Sequence, residues 1–334
     1  MTHRSLPSLL LAFVGLIAAC SPEAFVDEAS TAGTTPFANS ADDSTVPLAT
    51  STAPTTSTTA GTRMIESLGP DGYSEDRLVA RLVPEVLEDQ LHPLVIVLHA
   101  YGGVADAAIG DFGLRDAAAK GGWIVLAPSG LVDSIGNQYW NATPTCCDRD
   151  HSGVGDVEYL RQIILAALIQ YPVEPSQVFV IGGSNGGFMA YQLACHASDL
   201  VAAIVVSAAT EANSEQACQP RYPVSVFHVH GKTDQAVKFY GGELSLLLER
   251  IAPYPSAEAT VRRWAVRNGC PTEDPYLGLT LGATRGEWLN CGLGTSVRFV
   301  WLDQGHDLVE PRWLVDQILE FVGEQVRAPL RPVR

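Results

Sequence analysis

The stretch VFVIGGSNGGFMAY, residues 178–191, decides the fold. It begins as an apolar, β-prone strand, packs glycines around Ser184, and ends as a helix. The central Gly182-Gly183-Ser184-Asn185-Gly186 fits G-x-S-x-G between strand and helix, the setting of a nucleophile elbow. So tight a turn strains the backbone, and side chains flanking the serine would collide, hence the glycines. The helix N-terminus just after Ser184 aims amide dipoles at developing negative charge. The plainer reading is a glycine-rich turn with a serine N-cap. A phosphate loop is disfavoured, because no Gly-Lys-Ser/Thr follows.

Outward from the elbow, strands and helices alternate. "LVIVLHA" (94–100) and "WIVLAPS" (123–129) are continuous apolar runs of the kind that form buried parallel strands. "RLVARLVPEV" (77–86) is strand-like, with a proline that suggests an edge. Apolar residues at 157, 160, 164, 167, 168 and 171 predict a one-faced helix that Pro172 stops. Strands at "VAAIVVSAA", "VSVFHVHG" and "VRFVWLDQG" and helices at "ATVRRWAVRNG" and "PRWLVDQILEFVGEQV" complete the pattern. Such alternation predicts an α/β fold: one domain, a mostly parallel sheet, helices on both faces.

A serine hydroxyl is a weak nucleophile until a base takes its proton and an acid orients that base. In an α/β-hydrolase the order along the chain is serine, acid, histidine. Asp234 follows the strand "VFHVHG", and His306 follows the last strand, "VRFVWLDQG". Loops at the carboxyl ends of parallel strands share one edge, so Ser184, Asp234 and His306 can converge there as the catalytic residues. Asp303 is a competing orienter of His306. His228 and His230 face the same side of a strand and, with Asp234, raise a metal-site alternative, but no third histidine has a supporting spacing. The expectation is no metal and no cofactor. The oxyanion hole needs two amides. Asn185, after the nucleophile, supplies one; Tyr101 in "HAYGG" (99–103) is the candidate for the other, with Gly102 as runner-up.

The N-terminus speaks to location. "MTHR" is followed by the apolar run "LPSLLLAFVGLIAA", too short to span a membrane and typical of a signal peptide. Small residues lead into Cys20, and this resembles the bacterial lipobox. It implies cleavage after residue 19, lipidation of Cys20 and a chain anchored to the membrane outside the cytoplasm; an ordinary secretory signal is the alternative. Residues 20–63, rich in Ser, Thr, Ala and Pro, read as a disordered tether, with the folded domain at 64–334. A net charge of −16 argues against nucleic acid as a partner. Without Cys20, six of the seven cysteines remain, an even number suited to three disulfides in an exported protein. Of fifteen possible connectivities, the nearest pairs are Cys195–Cys218 and Cys270–Cys291. They leave Cys146 and Cys147 to each other or to a rearranged scheme.

"LHAYGG", "WN" before "CC", "GGSNGGFMAYQLAC", "HVHGKTDQAV", "YGG", "WAVRNGC" and "GH" occur in the order found in secreted polyhydroxybutyrate depolymerase-like esterases, relatives of feruloyl and acetyl xylan esterases. The chain resembles that family over most of residues 77–310. The resemblance implies an α/β-hydrolase fold and carboxylic-ester hydrolysis, with Ser184 as nucleophile, Asp234 as acid and His306 as base. It also supports disulfides without fixing their pairing. Trp140 and Asn141 become candidates for the substrate pocket, against a plainer reading as packed loop residues. Ala100 departs from the family's usual glycine and raises the question of a reshaped oxyanion loop. After His306, Asp-Leu-Val stands where many relatives have an aromatic residue. Two other readings stay open: a serine peptidase of the prolyl-oligopeptidase style, and a non-catalytic envelope protein that binds on the same fold.

Overall fold

The computed structural model describes residues 63–65, 77–84, 90–244, 252–271, 274–280, 282–307 and 311–327. They belong to one unit, Ser57–Arg334. The signal segment 1–19, Cys20 and all of the tether except Arg63 lie outside the described residues, as do positions 308–310 after His306.

In chain order the elements are β1 (Arg63–Ile65), β2 (Val79–Leu82), β3 (His92–Leu98), α1 (Ala105–Asp111), α2 (Leu114–Gly121), β4 (Ile124–Pro128), β5 (Leu131–Val132), β6 (Gln138–Tyr139) and α3 (Asp156–Gln170). There follow β7 (Val173–Gly183), α4 (Asn185–His196), β8 (Ala203–Ser207), β9 (Ser225–Gly231), α5 (Ala257–Arg267), β10 (Tyr276–Thr280), β11 (Ala283–Trp288), β12 (Val297–Leu302) and α6 (Arg312–Glu324). The main sheet runs β1-β2-β4-β3-β7-β8-β9-β12-β11-β10. From β4 to β12 it is parallel, and an antiparallel pair extends it at each end.

The apolar runs explain the layers. Strand side chains alternate between faces. Leu94, Ile96 and Leu98 of β3 pack with α3, α4 and α5, while Val95 and Val97 pack with α1, α2 and α6. Both faces are covered, so the parallel strands are predominantly apolar. β2 is not an edge: β1 pairs on its outer side, and Pro84 lies beyond the strand. In α3 the buried stripe is Asp156, Tyr159, Leu160, Ile163, Ile164 and Ala167, rotated from the expected face. The rotation accommodates a buried ion pair between Asp156 Oδ1 and the Arg77 guanidinium at 2.7 Å. Among the described residues no helix is long and apolar enough to cross a membrane.

The sulfurs pair as Cys146–Cys147, Cys195–Cys218 and Cys270–Cys291. Cys195–Cys218 joins the end of α4 to the segment before β9, and Cys270–Cys291 ties the end of α5 to the segment before β12.

Topology sets where a site can form. The chain winds from β3 outward to β4, then returns to place β7 on the other side of β3. That reversal opens a crevice at the carboxyl ends of β3 and β7. Leu98 and Gly182 are in register, so residues 99–103 and the elbow leave the sheet side by side.

Candidate active site

The elbow concentrates its strain on one residue. Ser184 has φ 50° and ψ −121°, while the adjacent glycines keep negative φ. Their role is close approach. A Cβ on Gly182 would lie 2.3 Å from Gly186 O, and one on Gly186 would lie 2.3 Å from Leu98 O. The Ser184 amide donates to Ser207 O of β8 at 2.9 Å, pinning the turn to the next strand. Positive φ on a non-glycine residue costs about 1–3 kcal/mol and persists only where the surroundings enforce it.

The acid and base are brought together by a second register. Leu302 of β12 lies opposite Gly231 of β9, so both following loops start at one level. Lys232 N donates to Leu302 O at 2.8 Å and Thr233 N to Gln304 O at 3.1 Å. Gly231 lets the chains touch, for a Cβ there would sit 2.3 Å from Gly305 O. The outcome is a connected triad: His306 Nδ1 is 2.7 Å from Asp234 Oδ2, and His306 Nε2 is 3.0 Å from Ser184 Oγ. Asp234 is buried, and its Oδ1 accepts from the amides of Ala236 at 2.8 Å and Val237 at 2.9 Å. Asp303 plays no part in holding His306; it is exposed and lies 3.5 Å from Lys232 Nζ.

His228 and His230 are occupied in a different way from the metal alternative. His228 Nε2 faces His230 Nδ1 at 3.2 Å, and the stacked rings are flanked by Tyr191 OH at 2.6 Å and Val237 O at 2.7 Å. Burial depresses the pKa of His230, against its bond to Val237, and of His228 still further, so both stay neutral at ordinary pH. Among the described residues no group of three or more His, Cys, Asp or Glu side chains is placed to hold a metal ion.

The loop after β3 is held from beneath. The His99 Nε2 accepts from Gly130 N at 2.9 Å, which leaves its Nδ1–H to donate to Ala100 O at 2.8 Å. Burial lowers the His99 pKa to about 4, against that bond to Ala100, with nearby Arg77 pushing the same way. Gly102 N donates to Gln138 O at 2.8 Å and Gly103 N to Ala100 O at 2.9 Å. With those amides committed, Tyr101 is the better oxyanion candidate than Gly102. The positive φ of this turn, 72°, falls on Gly102 and not on Ala100, so alanine sits at position 100 without backbone strain. The Tyr101 hydroxyl bonds Asp133.

Trp140 and Asn141 are both held within the structure behind the elbow. Trp140 is fully buried, and its indole donates to His99 O at 3.1 Å. Asn185 grips the Trp140 backbone from both sides: Oδ1 accepts Trp140 N at 2.7 Å and Nδ2 donates to Trp140 O at 2.9 Å. Asn141 N donates to Asp156 Oδ2 at 2.7 Å, and its Nδ2 to Val154 O at 2.9 Å. The fully buried Trp140 thus follows the packed-loop reading, while Asn141 is partly exposed. Sequence reading missed that Asn185 itself is the clamp. A polar residue straight after the nucleophile, where the strand-to-helix turn must be buried, is the signal that was available.

Comparison with known proteins agrees with this architecture. The model of the dienelactone hydrolase family matches residues 85–250, which include Ser184 and Asp234 but not His306. Feruloyl esterase B of Piromyces equi is 29% identical over 220 residues, 65% of this chain and 40% of that protein. The poly(3-hydroxybutyrate) depolymerase of Ralstonia pickettii is 33% identical over 122 residues, 34% of this chain and 25% of its own length. The chain thus spans less than half the length of these curated relatives. The solved acetyl xylan esterase from Aspergillus awamori superposes with a TM-score of 0.55 at 18% identity, covering 79% of this chain and 99% of that one. The chain has the α/β-hydrolase fold, and the family resemblance read from the sequence holds.

Proposed function

We propose that this protein is an extracytoplasmic serine esterase that hydrolyses carboxylic esters through Ser184, His306 and Asp234. One observation carries the reading: Ser184 Oγ, at the tip of a strained elbow, is 3.0 Å from a histidine whose other nitrogen is 2.7 Å from a buried carboxylate. His306 Nε2 takes the hydroxyl proton as Oγ attacks the ester carbonyl. Asp234 keeps the Nδ1–H tautomer and stabilises the imidazolium. The amides of Tyr101 and Asn185 hold the tetrahedral oxygen, each donor contributing about 3 kcal/mol in comparable sites. His306 returns the proton to the departing alcohol. Water then attacks the acyl-enzyme by the same route and frees the acid. These steps require no metal or organic cofactor.

Feruloyl, acetyl and short hydroxyalkanoate esters, free or linked to polysaccharide or polyester, are the proposed substrates, on the strength of the relatives' names. Export is supported by the apolar N-terminal run and by three cysteine pairs that an oxidising compartment preserves. Lipidation of Cys20 would hold the enzyme at the membrane.

The test is hydrolysis of p-nitrophenyl acetate, p-nitrophenyl butyrate and methyl ferulate by the oxidised protein beside Ser184→Ala. The expected loss in the variant is about a millionfold in kcat, the scale seen when other serine triads lose the nucleophile. A folded wild-type protein inert on all three esters would sink the reading.

A further inference from the structure

Beneath the acid loop lies a polar chain that the proposed chemistry does not use. Tyr191, on α4, is fully buried, as is His228, and His230 is 1% exposed. Their polar atoms form one line: Tyr191 OH to His228 Nδ1 at 2.6 Å, His228 Nε2 to His230 Nδ1 at 3.2 Å, and His230 Nε2 to Val237 O at 2.7 Å. The end of the line fixes every proton. A carbonyl only accepts, so His230 Nε2 donates; in the neutral ring Nδ1 then accepts, His228 Nε2 donates, and His228 Nδ1 accepts from the tyrosine. Burial keeps both rings neutral, consistent with that assignment.

The line ends on the residue that holds the acid. Val237 accepts from His230 through its carbonyl, and its amide donates to Asp234 Oδ1 at 2.9 Å. His230 Nε2 is also 3.6 Å from Asp234 Oδ2, the oxygen that meets His306. Aromatic rings wall the histidines in: Trp301 edge-on to His228 at 5.4 Å and Phe239 edge-on to His230 at 5.9 Å. The line begins on the helix that Ser184 caps, so the connections close a ring: Ser184, His306, Asp234, Val237, His230, His228, Tyr191 and back along α4.

We propose that Tyr191, His228 and His230 are positioning residues, a buried donor-to-acceptor chain that anchors the acid loop to the nucleophile's helix and so aims the Asp234 carboxylate at His306. Three fully buried polar side chains are costly unless all are satisfied, and apolar residues would fill the same space. What apolar residues would not supply is direction for the Val237 carbonyl. Misplacement of a catalytic group by about 1 Å can cost on the order of a hundredfold in rate. The inference rests on the serine-esterase reading for its rate effect, but its geometry can be read without turnover.

The experiment compares the full-length wild-type protein with His230→Leu, His230→Gln and Tyr191→Phe. Glutamine carries an amide nitrogen able to donate to Val237 O; leucine does not. Two readouts are taken: kcat and KM on p-nitrophenyl butyrate, and the downfield proton NMR resonance of the His306 Nδ1–H bonded to Asp234. His230→Leu should lose about tenfold or more in kcat with little change in KM, and the resonance should broaden or move upfield. His230→Gln should recover most of both, and Tyr191→Phe should move both in the same direction by less. If His230→Leu does not fold, Tyr191→Phe carries the test. A folded His230→Leu with wild-type kcat and an unmoved resonance overturns the proposal, as does a glutamine variant no better than leucine. A wild-type protein without esterase activity overturns the functional reading instead, and the resonance still decides the positioning role.

Discussion

Ser184 and His306 meet 3.0 Å apart but are held there by different means. Ser184 sits in a turn that its neighbouring residues let pack tightly against the rest of the fold. Glycines within two residues admit the close approach of backbone, Ser207 O takes its amide, and Asn185 locks the turn onto Trp140. The base sits on a loop, partly exposed, and is oriented by Asp234, a residue 72 positions earlier. One side of the site is a glycine turn packed against β8 and the Trp140 backbone; the other is assembled by the register of β9 against β12. The difference teaches that damage to the two sides should appear in different measurements. Changes on the acid–base side should lower turnover in a stable protein, and changes behind the elbow should lower stability first.

The largest separation is expected for Asp234→Asn. Asparagine keeps an oxygen for the amides of Ala236 and Val237, so the fold should survive while kcat falls about 10⁴-fold through loss of the correct His306 tautomer. Steady-state kinetics beside thermal unfolding checks it; a large drop in stability would erase the contrast. Next is Asn185→Leu, which leaves the buried Trp140 N–H without a partner, while Trp140 O loses one donor and keeps the amides of Ala142 and Cys147. The unpaired N–H costs about 1–3 kcal/mol and the lost bond to Trp140 O about 1 kcal/mol, so urea unfolding should show a loss of about 3 kcal/mol. The smallest effect is that of His99. Its folded pKa of about 4 lies below the ordinary histidine value of 6.5, so between those values the unfolded chain binds the extra proton. Stability should therefore be full above pH 6.5, fall as pH drops toward 4, and level off below. The total is about 3 kcal/mol at most, from the size of the shift. Urea unfolding of His99→Gln over the same range should lack that slope.

The sequence made the parallel core and the elbow readable because both follow from local pattern: continuous apolar strands, and glycines about a serine between strand and helix. The order of Ser184, Asp234 and His306 was readable too, since each follows a buried strand. What stayed hidden depended on distant pairing. β10 and β11 form an antiparallel hairpin whose strands mix polar and exposed apolar residues, such as Leu277 and Leu279, and carry no clear period. α1 and α2 are short and built largely of alanine and polar residues, with little apolar stripe to signal them. Pro84 suggested an edge at β2, yet β1 covers that side from three residues where tether gives way to the predicted domain. The sequence leaves Trp140 between a pocket wall and a packed loop residue, because its burial is decided by Asn185, His99 and Arg77, all far along the chain. The paired histidines of β9 suggested metal ligands, and only the structure shows that Tyr191 and Val237 already use their outer nitrogens.

The central claim is that Ser184 is an activated nucleophile. The most direct measurement is intact-mass and peptide-mapping analysis of the oxidised protein after reaction with a fluorophosphonate, beside His306→Ala. A single phosphonyl adduct is expected on the peptide bearing Ser184, formed rapidly in the wild type and almost abolished when His306 is removed. A folded protein that forms no adduct, or forms one on another residue, would contradict it.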